Sequence, residues 1–240
     1  MASKELIREC YPFVKDLKSY CVESMFTRKY SWKAKYPSKV MCFVNAMNWR
    51  MYETADAAFS LMKKDKIVPA LSLVRCCWEN MAVTYELKVM IEQCCEKNQL
   101  TDAVDEELMR TLLSNRYEKD NRYVGEEHYE NMKEFRAKNI LTLVRKIERD
   151  YPQTKDLYST LCEFVHPNGD GVCGSYSHLD ENSQTIYFGP QFNRESDLFP
   201  TFVTILSCAL MLYLKFIDSI ESHINTFARL CEISLDNTMV

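Results

Sequence analysis

The chain has 240 residues, of which 47% are hydrophobic and 27% charged, and its net charge is −4. That length can bury a substantial core as one large or two small domains, one being the default over 1–240, and the negative balance excludes a globally basic nucleic-acid coat. Glycine and proline number only five and seven, so turns are scarce and helix-forming residues abundant; the fold class indicated is all-α, a multi-helix bundle.

In chain order, Leu6, Cys10, Phe13, Leu17 and Tyr20 recur at helical spacing and predict a first amphipathic helix over 3–27. A basic, aromatic connector follows, "TRKYSWKAKYPSK". A second helix is expected after Pro37, capped by Ser38 and running to about Lys63. The third covers roughly 66–97, with Pro69 tolerated in its first turn. Residues 99–150 are charge-rich and read as an outer helical hairpin broken near Gly125. Another helix begins near Thr154 and is stopped by Pro167. The period then changes: "GVCGSYSH" and "QTIYFGP", separated by "LDENS", predict a small β-hairpin within 171–190. An apolar helix from about 198 to 232 closes the core.

The uncharged run "LFPTFVTILSCALMLYL" just reaches membrane-spanning length. It contains Pro200, Thr201, Thr204 and Ser207, lacks a basic flank before it and continues as a polar helix, so the expectation is a buried core helix and no membrane partner. The start "MASKELIREC" lacks the apolar core of a secretion signal, which indicates a reducing, cytoplasmic setting for the eleven cysteines. Cys76–Cys77 and Cys94–Cys95 sit in helical sequence where neighbours diverge by about 100°, so neither pair is a chelate by itself.

Four features bear on function. Cys162, His166, Cys173 and His178 carry zinc-binding side chains, but 173 and 178 would face opposite sides of a regular strand, and no metal or other cofactor is expected. His166 stands at a helix end beside "PNGDG", either as a functional imidazole next to a ligand-accessible glycine loop or as a plain helix stop. On the third helix Ser72, Arg75, Glu79 and Glu86 form a narrow polar stripe, with Arg75 and Glu79 spaced to pair; the stripe lines a cleft or is a buried structural ion pair. Around the connector Arg28, Lys29, Lys33, Lys35, Lys39 and Arg50 occur with no acid between Glu23 and Glu53, interleaved with Tyr30, Trp32 and Tyr36. Arg28, Lys29, Trp32, Lys33 and Lys35 are the candidates for contact with RNA or another single strand, unless the run is a solvated loop. Dinucleotide, P-loop, zincin and hydrolase-elbow motifs are absent from the sequence.

"ALSLVRCCWEN", followed much later by "LYSTLCEFVHPNGDG" and a short hairpin, resembles a family of uncharacterised bacterial helical proteins over roughly 40–220. More distantly the arrangement is similar to HEPN-type helical domains, many of which are RNases of toxin–antitoxin, abortive-infection and antiphage systems. Their motif is an arginine four to six residues before a histidine on one helix, usually paired across a dimer. Here "YSTLCEFV" before His166 has no arginine, and Arg122 precedes His128 only across Gly125. The resemblance implies a metal-independent ribonuclease in which His166 is general acid or base, Arg75 stabilises the phosphorane and Glu79 orients the arginine. The competing reading is a non-catalytic scaffold or adaptor that forms homo-oligomers or binds a protein partner in such a system.

Overall fold

The computed structural model describes residues 10–100, 138–190 and 198–238, with 8, 104, 108 and 111 besides. Its elements are α1 (Pro12–Ser19), α2 (Tyr36–Lys63), α3 (Ile67–Lys97), α4 (Ile140–Asp150), α5 (Thr154–Val165), a π-helical turn (Gly169–Gly174), β1 (Ser177–Asp180), β2 (Thr185–Phe188) and α6 (Leu198–Thr238). The fold is all-α with a two-stranded antiparallel hairpin before the last helix.

The long helices end without glycine. Asp65 after α2 and Asn98 after α3 adopt left-handed φ of 56° and 48°, a conformation that short polar side chains tolerate. In each case the following amide reaches back, Lys66 N–H to Leu61 O at 2.9 Å and Gln99 N–H to Cys94 O at 3.1 Å. These are Schellman-type stops, and they explain how a glycine-poor chain makes sharp helix ends. Entry into α5 is unusual as well. Gln153 occupies the N-cap at φ 74° with no capping side chain of its own. Glu148 of α4 caps instead: its carboxylate accepts from Gln153 N–H at 3.1 Å, Thr154 Oγ1–H at 3.0 Å and Lys155 N–H at 2.6 Å.

Four boundaries differ from the sequence expectation. α1 stops at Ser19, not near 27, because the chain turns through Tyr20 and Cys21 onto Leu17 and Lys18 carbonyls. α2 begins at Tyr36 with Pro37 inside its first turn, and Ser38 donates its hydroxyl to Thr27 O instead of capping the helix. The "GVCG" half of the predicted first strand winds into the π turn, so only Ser177–Asp180 pairs, in register Ser177↔Phe188 to Asp180↔Thr185. α6 also runs on to Thr238, beyond 232. The expected break at Gly125, with Arg122 and His128, lies outside the described residues.

The chain forms two compact units, each assembled from three stretches. The first comprises 1–21, 47–81 and 144–213. Its core gathers Leu17, Met51, Phe59, Leu71, Trp78, Tyr158 and Leu206. The Trp78 indole donates to Ile205 O at 3.1 Å, and buried Asn48 joins two partners, donating to Tyr20 O at 3.1 Å and accepting from the Tyr213 hydroxyl at 2.8 Å. The second unit comprises 22–46, 82–143 and 214–240. Val40, Val44, Leu87, Ile91, Phe216, Ile220 and Phe227 are buried there. Tyr85 and Phe216 stack at a tilt, 5.2 Å between centroids.

α6 is long and apolar enough to cross a membrane by length and composition, and 56% of its most apolar window is buried within the fold. That burial fits a core helix.

Candidate functional site

The polar stripe on α3 resolves into separate contacts. Arg75 Nε donates to Glu79 Oε1 at 3.0 Å and to the Tyr158 hydroxyl of α5 at 3.3 Å; that hydroxyl in turn donates to the same carboxylate oxygen at 3.0 Å. Arg75 and Glu79 are 25% and 35% exposed at the side chain, whereas Tyr158 is 1% exposed. Burial works against the guanidinium's charge, but the Tyr158 hydrogen bond and the neighbouring Tyr158, Cys162 and Glu79 groups outweigh it and raise Arg75 above its ordinary pKa. Burial likewise pushes the Tyr158 phenol well up, so it stays a neutral donor. Ser72 bonds back to Val68 O on its own helix at 3.3 Å. Glu86 belongs to the second unit, where it meets Lys138.

Further round α3, Asn80 is buried and its Oδ1 accepts from Arg50 Nε of α2 at 3.0 Å. Cys76, one turn before Asn80, lies within electrostatic reach of Arg50, Arg75 and Glu79. No local pattern marks Tyr158 or Asn80 as members of this face, because their partners are distant in sequence.

His166 lies elsewhere on α5. It is the C-cap, exposed, with its amide bonded to Cys162 O at 2.9 Å and an extended backbone, ψ 146°. Eight residues separate it from Tyr158, a rise of about 12 Å along a helix, and among the described residues no hydrogen bond or ion pair joins its ring to Arg75 or Glu79. The glycine loop beside it closes the helix. Asn168 Oδ1 accepts from Gly171 N–H at 2.8 Å, Asn168 Nδ2 donates to Glu163 at 2.9 Å, and Gly171 is buried against the carbonyls that end α5.

The four zinc-type side chains are spread over different elements. Cys162 is half-buried on α5, His166 caps it, Cys173 is exposed in the π turn, and His178 is opposite Tyr187 in the hairpin. Among the described residues no three His, Cys, Asp or Glu side chains come together as a metal-ligand set. The strand-parity argument does not apply to Cys173, which is helical.

The connector forms a loop with an exposed aromatic pair. Phe26 and Trp32 are 62% and 69% exposed and meet edge to face at 5.9 Å between centroids. The Arg28 guanidinium lies 5.2 Å from the Trp32 ring centroid, and Lys29 stands similarly over Tyr30. Ser31 is the anchor: its buried hydroxyl donates to Glu232 at 2.5 Å while accepting from the amides of Lys33 and Ala34 at 3.2 and 2.8 Å. Lys33 pairs with Asp236 at 3.2 Å, and Lys29 is near enough to Glu221 to act on its carboxyl. Lys35 is exposed. Comparison with protein-family models, curated proteins and solved structures returned no match to this chain.

Proposed function

We propose that this chain is a non-catalytic helical adaptor, working in the cytoplasm within the kind of defence or toxin–antitoxin assembly that the HEPN resemblance implies. One observation carries the reading. Tyr158 and Glu79 hold Arg75 by its Nε edge, and among the described residues no hydrogen bond or ion pair brings the His166 ring to that arginine, as a ribonuclease acting on a scissile phosphate would need. His166, an exposed helix cap, is supported by its own turn and contributes nothing to that cluster. An adaptor needs only the surface and the rigidity of the helices. The deciding experiment is RNA and DNA cleavage by purified protein, with and without chelator, beside folded His166→Ala and Arg75→Ala variants. The expected result is no cleavage by any of them; chelator-resistant cleavage that disappears in both variants would overturn the adaptor in favour of a metal-independent ribonuclease.

A second reading, contact with single-stranded RNA through the connector, is favoured by the exposure of Trp32 and Phe26 among Arg28, Lys29 and Lys35. A ring that stacks on a base is worth about 1–3 kcal/mol by alanine substitution. Anisotropy with a labelled single-stranded RNA is therefore expected to show salt-sensitive binding weakened roughly tenfold by Trp32→Ala. Binding indifferent to Trp32 and Lys35 would remove the loop from consideration.

A further inference from the structure

We propose that Arg50 and Arg75 form a clamp for a small oxyanion of the phosphate or phosphate-monoester class, on the α3 face around Cys76. Each guanidinium is held by its Nε edge. Arg75 is fixed by Glu79 and Tyr158, at 3.0 and 3.3 Å, and Arg50 by Asn80 at 3.0 Å. Two of the three acceptors are almost fully buried, Tyr158 at 1% and Asn80 at 5% exposure, so the arginines are held by groups that cannot move freely. Their Nη groups meet no acceptor among the described residues. The result is two planar guanidinium groups from two helices, each held at one edge in advance of a ligand, with Arg50 exposed and Arg75 25% exposed at its side chain.

Residues 75 and 79, and 76 and 80, are i,i+4 pairs on two successive turns of α3, so Cys76 lies on the face between the arginine fixed by Asn80 and the arginine fixed by Glu79. Burial and then Glu79 hold that thiol above its ordinary value, while both guanidinium groups pull against them. An arginine fork matches the paired oxygens of phosphate or carboxylate, and its fixed plane reduces the ordering needed on binding. The charge balance narrows the ligand class. Glu79 offsets one of the two arginines, leaving a modest positive excess suited to a small anion. This distinguishes the face from the connector, whose exposed rings and dispersed cations suit a longer strand. The clamp does not depend on the adaptor reading, because cleavage assays and anion binding report different outcomes.

The test uses inorganic phosphate and glycerol phosphate as probes, with iodoacetamide alkylation of Cys76 mapped by mass spectrometry as the readout and calorimetry beside it. Both probes are expected to slow alkylation of Cys76, compared with chloride at equal ionic strength. Arg50→Gln and Arg75→Gln should each weaken that protection roughly tenfold, and Glu79→Gln should strengthen it. Arg50→Lys keeps the charge but loses the fork, and should weaken it too. Because Arg50 is exposed, its variants carry the test even where Arg75→Gln fails to fold. Protection matched by chloride would reduce the effect to screening, and protection that survives Arg50→Gln, or no protection by either probe, would sink the clamp.

Discussion

A β-carbon built at Gly171 would lie 2.1 Å from His166 O and 2.9 Å from Phe164 O, whereas one at Gly169 meets nothing within 4 Å. Two glycines that look alike in "PNGDG" therefore differ completely in what they do. Gly171→Ala forces the turn off the end of α5 and is expected to destabilise by about 2 kcal/mol or more, while Gly169→Ala should stay within about 0.5 kcal/mol. Urea denaturation of both variants measures this directly; equal, small effects would mean that the turn re-forms without cost. The same pair shows what a sequence conveys at this scale. Glycine content announces a turn, but which glycine has carbonyls at its α-carbon depends on the path taken by Pro167 and Asn168. The Arg75–Glu79 pair was legible from its spacing. Tyr158 was not, since a hydroxyl recruited from 79 positions away in the chain leaves no local trace.

Among the elements, α5 is the one most dependent on a neighbour. Its N-terminus is satisfied by Glu148 of α4, and the backbone amide of Lys155, then the Thr154 hydroxyl and the Gln153 amide, hold that carboxyl below its ordinary value. A depressed acid contributes stability that is present above its unfolded pKa and is lost as pH falls through the folded one. Glu148→Gln should therefore be less stable than the parent at neutral pH, with the difference shrinking as pH falls below the ordinary glutamate range near 4.5. Thermal melts of both proteins across that range check it, and a difference independent of pH would assign the effect to packing. Amphipathic periodicity and proline placement made α2, α3 and α5 readable to within a few residues. They could not locate the π turn, because apolar and polar positions in "GVCGSYSH" alternate plausibly for a strand until hydrogen bonding at Gly171 and Ser175 bends the first half into a helix.

At the scale of the whole molecule, the buried share of α6 predicts behaviour in solution. The protein should remain in the supernatant after high-speed centrifugation without detergent; a requirement for detergent would show that α6 meets lipid instead of protein. Composition alone indicated the all-α class, yet the division into two units, each drawn from three separated stretches, has no counterpart in linear pattern: no glycine- or proline-rich linker marks it, and the periodicity of a helix is unchanged where its partners change. The Ser31 anchor has a temporal consequence. Ser31 and Lys33 bond to Glu232 and Asp236, 201 and 203 positions later, so a ribosome must translate past those positions before the connector acquires its support. Throughout that interval Phe26 and Trp32 belong to a nascent segment without its tether, which makes the connector a natural site for chaperone capture or proteolytic clipping during synthesis.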